Sequence, residues 1–280
     1  MAEYVNPNTL VDTDWVAAHG GDDDVRLVEV DVDTSSYDSG HIPGAVGWNW
    51  ETQLSDGIRR DIASPEQWKE LLESSGIAAD THVILYGDNN NWFAAFAYWQ
   101  FKMGGHDRVS LMNGGRLKWE QEGRELTTDE TVVESTTYEA GEADPSLRVL
   151  QPDVRAALGD GSTVLVDVRS PAEFTGEILA PPGLQELSQR GGHIPGADNV
   201  PWLTAVNEAD GTFKSADELL EIYGPLGATG DAPVITYCRI GERSAHTWFA
   251  LHELLGVGNV RNYDGSWTEW GSMIGQPIER

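Results

Sequence analysis

The sequence predicts two tandem α/β domains, each a mainly parallel sheet flanked by helices. Short β-rich runs alternate with helical runs, which is typical of a parallel sheet covered on both faces. The same alternation, with matching motifs, occurs in both halves of the 280 residues. A chain of this length is long enough to bury two cores of ordinary size.

The repeat is visible in motifs at a nearly constant spacing. The segment "SGHIPGAVGWNW" (39–50) returns as "GGHIPGADNVPW" (191–202), an offset of 152 positions. Further along, "VSLMNGG" returns as "VRNYDGS" with an offset of 151. Two motif pairs with almost the same offset predict one structural unit present twice.

The domain boundaries follow from composition. We predict domains at 1–128 and 145–280, joined by the polar, acidic linker 129–144. The second copy carries an insertion, "TGEILAPPGLQELSQRG" (175–191), whose Pro-Pro-Gly predicts a surface loop.

The elements are similar in the two copies. "VRLVEVDV" and "STVLVDVR" are predicted strands, and "THVILYG" and "APVITYC" are near-continuous apolar runs typical of strands buried on both faces. "SPEQWKELLESSG" predicts a helix capped by Ser64 with Pro65 at its first position, and "SADELLEIYGPLG" predicts another from Ser215.

The charge balance is strongly acidic. The chain has 46 acidic and 18 basic residues, a net charge of −28. Nucleic acid and anionic membranes are therefore poor partners, and the longest apolar runs are too short to span a membrane. This composition predicts adaptation to high salt, where screening removes the self-repulsion.

The chain has one cysteine, Cys238, which excludes an intrachain disulfide and a Cys-based metal site. The first residues, "MAEYVNPNTLVDTDW", lack the pattern of a secretory signal. We therefore expect a cytoplasmic location.

The only cysteine lies in "YCRIGERS", where a predicted strand ends and a predicted helix begins near Ser244. Ligands of open α/β sheets bind beyond the carboxyl ends of the strands. Gly241 allows a tight loop whose N–H groups point inward, and Arg239 and Arg243 add positive charge. Together with the helix N-terminus, these features predict a nucleophilic Cys238 with a lowered thiol pKa.

The first copy provides an internal comparison. Its loop reads "YGDNNNWF", with Gly87 at the cysteine position and Asp88 next to it. Arg169 in "DVRS" likewise matches Asp33 in "DVDT". The first copy therefore retains the scaffold without the thiol or the cations, which predicts one active domain and one inactive domain.

The motifs "DVR…GHIPGA", "YCRIGERS" and "YDGSWTEW", in this order, resemble those of the rhodanese family, specifically its tandem-domain thiosulfate sulfurtransferases. The resemblance covers nearly the whole chain and implies a persulfide intermediate on Cys238. The C-R-x-G-x-R loop matches the thiosulfate type, and the C-G-S/T-G loop typical of mercaptopyruvate enzymes is absent. Ile240 stands where some thiosulfate enzymes carry a lysine.

The resemblance implies ping-pong covalent catalysis without a metal or organic cofactor. Cys238 attacks the outer sulfur of thiosulfate, a small anionic donor, and sulfite leaves. Cyanide or a thiol then accepts the sulfur. The candidate ligands of the sulfonate oxygens are Arg169, Arg239 and Arg243. The N–H groups expected to stabilise the persulfide belong to Ile240, Gly241, Glu242, Arg243 and Ser244.

Three other functions stay open. 3-Mercaptopyruvate sulfurtransferase shares the chemistry, and a persulfide relay module would take sulfur from a partner protein with little turnover of free thiosulfate. A Cys-based phosphatase is more distant, because its C-x5-R loop is one residue longer than the C-x4-R interval here.

Several other residues receive structural interpretations. The histidine of "GHIPGA" occurs in both copies, as His41 and His193, which favours a role in turns over catalysis. Asp167 either positions the loop or caps a strand end. We assign no base role to His246 or His252. Core or domain-interface positions are expected for Trp202, Trp248, Trp267 and Trp270.

Overall fold

The computed structural model describes residues 3–181 and 188–280. The middle of the predicted insertion loop, residues 182–187, lies outside this range.

The chain forms two compact units. The N-terminal unit contains Asn8–Asp144 and also Glu208–Thr212. The C-terminal unit contains Pro145–Asn207 and Phe213–Arg280, together with the N-terminal segment up to Pro7. Sequence reasoning had not indicated either exchange of short segments.

The segment predicted as a linker has no helix or strand between 129 and 144. It is nevertheless held within the N-terminal unit, because Tyr138 is 2% exposed and its hydroxyl lies 3.2 Å from Nδ1 of His106. The backbone N–H of Tyr138 also donates to the Glu73 carboxylate at 2.9 Å.

The N-terminal unit consists of seven strands and six α-helices within its described residues. The strands are β1 (Leu10–Val11), β2 (Val25–Asp31), β3 (Val46–Asn49), β4 (Ser55–Asp56), β5 (Asp61–Ile62), β6 (His82–Tyr86) and β7 (Val109–Met112). The helices are α1 (Thr13–His19), α2 (Ser35–Ser39), α3 (Trp50–Gln53), α4 (Pro65–Ser74), α5 (Asp88–Met103) and α6 (Gly115–Gln121). Five strands form a parallel sheet in the order β1-β7-β6-β2-β3, while β4 and β5 pair as an antiparallel hairpin.

The C-terminal unit consists of five strands and five α-helices within its described residues. The strands are β8 (Arg148–Val149), β9 (Val164–Asp167), β10 (Asp198–Asn199), β11 (Val234–Tyr237) and β12 (Val260–Tyr263). The helices are α7 (Gln151–Asp160), α8 (Pro171–Thr175), α9 (Ala216–Tyr223), α10 (Glu242–Phe249) and α11 (Ser266–Ser272). All neighbouring strands are parallel, in the order β10-β9-β11-β12-β8.

The two sheets have the same topology. β8, β9, β10, β11 and β12 take the places of β1, β2, β3, β6 and β7, so the strand order is identical from one edge to the other. The predicted fold class, a parallel sheet flanked by helices in each copy, is confirmed.

The predicted helix starts are also observed. Ser64 caps α4 through a capping box with Gln67, with Pro65 at the first helical position. Ser215 caps α9 through a capping box with Glu218. These reciprocal bonds satisfy N–H groups that the first turn of a helix leaves free.

Each unit has its own core. The central strands β6 and β11 are buried along nearly their whole length, as expected for strands covered on both faces. The four tryptophans predicted for core or interface positions are all buried, at 8%, 0%, 0% and 0% exposure, and are Trp202, Trp248, Trp267 and Trp270. Over the described residues, no helix is long and apolar enough to cross a membrane.

Candidate active site

Cys238 follows the last residue of β11, at the carboxyl end of the central strand of the C-terminal unit. The loop is shorter than predicted, because α10 begins at Glu242 and not near Ser244. Gly241 is the N-cap and has a φ of +96°, a backbone conformation that glycine adopts without a steric penalty. The chain therefore turns into the helix within four residues of the strand.

Three groups contact the cysteine sulfur. The N–H of Gly241 donates to Sγ at 3.2 Å, and the backbone N–H of Ser244 also donates to it. On another side, Sγ lies 3.3 Å from Oε2 of Glu242, within reach of an S–H donor. The sulfur thus lies between two N–H donors and one carboxylate.

The start of α11 fixes the direction of the loop backbone. The N–H of Trp267 donates to the carbonyl of Cys238 at 3.1 Å, and the N–H of Thr268 donates to that of Arg239 at 2.9 Å. The Ser266 hydroxyl accepts the N–H of Cys238 at 3.0 Å. Because these carbonyls bind α11, N–H groups further along the loop are left to face the sulfur.

The expected lowering of the Cys238 pKa is wrong for this structure. Burial raises the pKa of the thiol, and the Glu242 carboxylate raises it further. Arg243 and the Ser244 donors act in the opposite direction but do not prevail. Sequence reasoning counted the donors and cations of the loop and omitted the cost of burying a thiolate beside a carboxylate.

Arg243 forms a buried ion pair with Glu173, a residue that sequence analysis missed. Its two terminal nitrogens donate to Glu173 on α8 at 3.0 and 3.1 Å, and Glu173 is fully buried. Burial alone would raise the pKa of Glu173, but the bidentate guanidinium outweighs it and the pKa is lowered. Ser170, the N-cap of α8, also donates its N–H and hydroxyl to Glu173.

Arg169 is engaged in the same way. Its guanidinium binds Asp167 through Nε at 3.0 Å and Nη2 at 2.6 Å, and it donates to the carbonyl of Gly192 at 2.7 Å. The guanidinium also lies over the Trp267 ring, 4.6 Å from its centre. Of the two roles considered for Asp167, the contacts show it holding Arg169 at the end of β9.

The predicted site residues are brought together in one loop and the strand next to it, since β9 pairs with β11. All of them are buried. Their exposed fractions are 0% for Cys238, Glu242 and Ser244, 1% for Arg169, 4% for Arg243, 7% for Ile240 and 9% for Arg239.

Two residues were missed, although the sequence contained a signal for one of them. "SPAEF" (170–174) is a capping-box pattern, Ser-x-x-Glu, directly after "DVR". It could have placed Glu173 in the first turn of a helix beside the site. Nothing in the sequence indicated that Ser266 would accept the N–H of Cys238, because this contact joins residues 28 positions apart.

The matching position in the N-terminal unit has no room for a cysteine. A Cβ at Gly87 would lie 2.4 Å from the carbonyl oxygen of Val30 and 2.8 Å from Oδ1 of Asp31. Asp31 is buried, and its pKa is raised to about 9 by burial and by the charges of Asp88 and Glu29. The space that the thiol occupies in one unit is filled in the other by the Val30 carbonyl and the Asp31 carboxyl group.

His41 and His193 have equivalent structural roles in the two units. Each ring stacks on the aromatic residue of a preceding helix, Tyr37 at 3.8 Å and Phe174 at 3.6 Å. Each Nδ1 binds that residue's carbonyl oxygen, at 3.0 and 2.9 Å. These contacts agree with the turn role expected from the repeat.

His246 lies one turn beyond Glu242 on α10 and is fully buried. Burial lowers its pKa to about 3, so the ring is neutral at physiological pH. Within the described residues, no cluster of three or more His, Cys, Asp or Glu side chains has the arrangement of a metal site.

Comparison with protein families finds the rhodanese-like domain twice, at residues 12–122 and 150–273. Close relatives extend over nearly the whole chain. A protein from Haloferax volcanii, named "Putative thiosulfate sulfurtransferase", is 55% identical over 278 residues, covering 98% of this chain and 96% of the relative. The sulfur carrier protein TtuD of Thermus thermophilus is 51% identical over 281 residues, covering 99% and 98%.

Solved structures give a consistent result. The chain matches wild-type EanB with a TM-score of 0.85 and 26% identity, covering 100% of this chain and 70% of EanB. It matches the anaerobic ergothioneine biosynthesis enzyme of Chlorobium limicola equally well, with a TM-score of 0.85 and 26% identity, covering 100% and 72%. One solved form of EanB holds a cysteine persulfide with ergothioneine.

Two family matches, relatives more than half identical over almost the full length and the shared fold converge on one assignment. The chain belongs to the rhodanese family and is a sulfurtransferase of the rhodanese type.

Proposed function

We propose that this protein transfers the outer sulfur of thiosulfate to cyanide or a thiol through a persulfide on Cys238, with release of sulfite. The observation that carries the proposal is the position of the sulfur. Sγ lies at the start of α10 and accepts an N–H from Gly241 at 3.2 Å. Donors placed in this way stabilise a thiolate and the persulfide anion that replaces it.

The donor step is a displacement at sulfur. The Cys238 thiolate attacks the outer sulfur of thiosulfate, the sulfur–sulfur bond of the donor breaks, and sulfite leaves with the bonding electrons. The nucleophile that arrives next attacks the outer sulfur of the persulfide, and the Cys238 thiolate is the leaving group. Cyanide gives thiocyanate, and a thiol gives a new persulfide.

We propose that the three arginines contribute to donor binding in different ways. Arg169 and Arg243 are each bound to a buried carboxylate, so their contribution is to hold the loop and its donors in place. Arg239 is the most exposed of the three, at 9%, and is our candidate for direct contact with the sulfonate oxygens. The N–H groups of residues 240–244 complete the proposed anion site.

A donor assay with mass detection of Cys238 tests this function. Incubation of the purified protein with thiosulfate should add one sulfur atom to the Cys238 peptide, and cyanide should remove it as thiocyanate. Cys238→Ser should abolish both results while the protein remains folded. Retained thiosulfate:cyanide turnover in Cys238→Ser would refute the proposal.

A sulfur relay is the second candidate, because TtuD, 51% identical to this chain, is named as a sulfur carrier protein. A relay would be persulfidated efficiently by a donor protein and would turn over free thiosulfate poorly. The same mass assay, with a persulfidated protein in place of thiosulfate, separates the two functions.

Two other candidates are less well supported. 3-Mercaptopyruvate stays an alternative donor, and a comparison of kcat/KM for the two donors decides between them. A phosphatase would need the Arg243 guanidinium for the phosphate, yet both of its terminal nitrogens bind Glu173. p-Nitrophenyl phosphate should therefore not be hydrolysed.

A cytoplasmic location and adaptation to high salt complete the proposal. A catalytic thiol is best maintained in a reducing compartment. The net charge of −28 should destabilise the fold unless salt screens it. We expect the midpoint of thermal unfolding to rise with KCl up to molar concentrations, and equal midpoints at low and molar KCl would contradict the adaptation.

A further inference from the structure

We propose that Glu242 is a further catalytic residue, which takes the proton of the Cys238 thiol as the sulfur donor is attacked and returns it when the sulfur is passed on. The inference rests on the proposed persulfide cycle and adds the group that carries its proton.

The contact is direct and enclosed. Oε2 of Glu242 lies 3.3 Å from Sγ of Cys238, and both residues are fully buried. The other oxygen, Oε1, has no hydrogen-bond partner among the described residues, and its nearest ion-pair contact is Nε of Arg243 at 3.9 Å. A buried carboxylate bound so incompletely is costly to the fold, which indicates a use beyond stability.

The first copy, which has no cysteine, has Asn91 at the position equivalent to Glu242. Asn91 precedes Glu242 by 151 positions, the offset that relates the two copies. Oδ1 of Asn91 accepts the N–H of Gly87 at 3.1 Å, and Nδ2 donates to the carbonyl of Met112 at 2.6 Å. In that unit the side chain is therefore a backbone support.

In the second copy Ser266 has taken over both of those bonds. Its hydroxyl accepts the N–H of Cys238 at 3.0 Å and donates to the carbonyl of Tyr263 at 2.7 Å. Ser266 has a φ of +49°, a backbone conformation that is unfavourable for any residue with a Cβ. The equivalent residue of the first copy is Gly115, at +54°, which has no such penalty. Because Ser266 makes these two backbone hydrogen bonds, the Glu242 carboxylate is not needed for them and instead contacts the sulfur.

The charged groups around the pair are largely compensated. On α10, Arg243 is bound by Glu173 of α8. Before α11, Asp264 lies next to Gly241 but is bound by Arg148. At the end of β9, Arg169 is bound by Asp167. In the loop, Arg239 is 9% exposed. His246, one turn along α10, is neutral.

The proton balance of the cycle then closes within the site. In the donor step, Cys238 S–H gives its proton to Oε2, its sulfur bonds to the outer sulfur of thiosulfate, and sulfite leaves as the dianion. The site changes from thiol and carboxylate to persulfide anion and carboxylic acid. In the acceptor step, cyanide or a thiolate takes the outer sulfur, and the departing Cys238 sulfur recovers the proton from Glu242.

The net charge of the pair is therefore −1 before and after each step. Without Glu242 as proton acceptor, the buried thiolate would have to form beside an ionised carboxylate. Such a like-charge pair is unfavourable in a buried site. Burial and, after it, the Glu242 carboxylate raise the pKa of the Cys238 thiol here.

Glu242→Gln tests the proposal, because the two possible roles of the carboxylate predict opposite changes in the rate of persulfide formation. As proton acceptor, its loss should slow persulfide formation from thiosulfate about 100-fold at neutral pH, with a rate that rises as pH increases. If the carboxylate only disfavoured the thiolate, Glu242→Gln would be faster than wild type, and that result would overturn the proposal. Glu221→Gln, an exposed position on α9, is the control for loss of one charge.

A proton count on the wild-type protein provides a test that needs no variant. It is made in weak buffer with a pH indicator, above the pKa of bisulfite, while persulfide forms in a single turnover. Wild type should release no proton, because Glu242 keeps it. Release of one proton per persulfide would overturn the proposal even if Glu242→Gln failed to fold.

These outcomes are distinct from a failure of the proposed function. If thiosulfate left wild-type Cys238 unmodified, the thiosulfate assignment would be wrong. The same proton count would then be made with the donor that does persulfidate Cys238. The inference fails only when persulfide forms and the proton is released, or when Glu242→Gln forms it at least as fast.

Discussion

The Glu173 carboxylate binds the Arg243 guanidinium through two parallel hydrogen bonds of 3.0 and 3.1 Å, with both side chains buried. The pair joins α8 to the first turn of α10, the helix that follows the Cys238 loop. Arg243 is therefore already paired with a carboxylate, and the proposed attraction for an anionic donor rests on the N–H groups of the loop.

Breaking this pair should have two measurable effects. Glu173→Gln leaves a buried arginine without its counter-charge, which we expect to cost about 3–5 kcal/mol of unfolding free energy. The uncompensated cation should also lower the pKa of Cys238, so that alkylation by iodoacetamide is faster at neutral pH. Urea unfolding and alkylation rates against pH measure the two effects. Glu177→Gln, exposed on the same segment, should change neither.

The Ser266 hydroxyl should be needed to hold the loop. Ser266→Ala leaves the buried N–H of Cys238 without an acceptor, which we expect to cost about 1–3 kcal/mol in urea unfolding. Ser266→Gly loses the same bond but relieves the positive φ, so its loss should be smaller by about 1 kcal/mol. Equal losses for the two variants would argue against strain at this position.

The buried Asp31 should make stability depend on pH. Its pKa is about 9 in the folded protein, against 3.8 for a free aspartate, so between these values the folded state binds a proton that the unfolded state releases. The free energy of unfolding should therefore fall as pH rises from about 4 to about 9. Asp31→Asn should flatten this slope and raise stability at pH 8.

The control for that experiment is Asp23→Asn, which removes an equal charge from an exposed position. It should leave the slope of unfolding free energy against pH unchanged. A wild-type protein whose stability is flat over the same range would contradict the assignment of Asp31.

The N-terminal unit should not accept a second active site by a single substitution. In Gly87→Cys the new Cβ would lie 2.4 Å from the Val30 carbonyl, so the loop must shift. We expect loss of stability, and in a Cys238→Ser background no persulfide after incubation with thiosulfate. Mass analysis of the peptide that carries the introduced thiol measures this, and its persulfidation at the rate of wild-type Cys238 would contradict the expectation.

Most of the fold was predictable because its determinants are local or repeated. Strand and helix periodicity, the caps at Ser64 and Ser215, and the constant offset between copies are all short-range patterns. Because the repeat predicts one structural unit present twice, the two sheets are expected to share the same strand order. The exchange of Glu208–Thr212 and of the segment up to Pro7 between units was not predictable, since no local pattern encodes which unit a short segment joins.

The sequence predicted most of the residues that the structure brings together in the candidate site, but not the electrostatics of the site. Sequence identified Cys238, the loop around it and the cations at Arg239 and Arg243. The direction of the thiol pKa was predicted wrongly, because burial and the Glu242 carboxylate dominate it. Both depend on where side chains lie in space, whereas a sequence contains only their order.

By itself the sequence therefore determined a duplicated α/β chain with one cysteine at the end of a strand, and the family to which its motifs belong. Only the tertiary structure decided which partners the charged groups have: Glu173 for Arg243, Asp167 for Arg169 and Glu242 for Cys238. Packing brings together groups far apart in sequence, such as Glu173 and Arg243 at 70 positions, and removes water from around them, and both changes set their charge and reactivity.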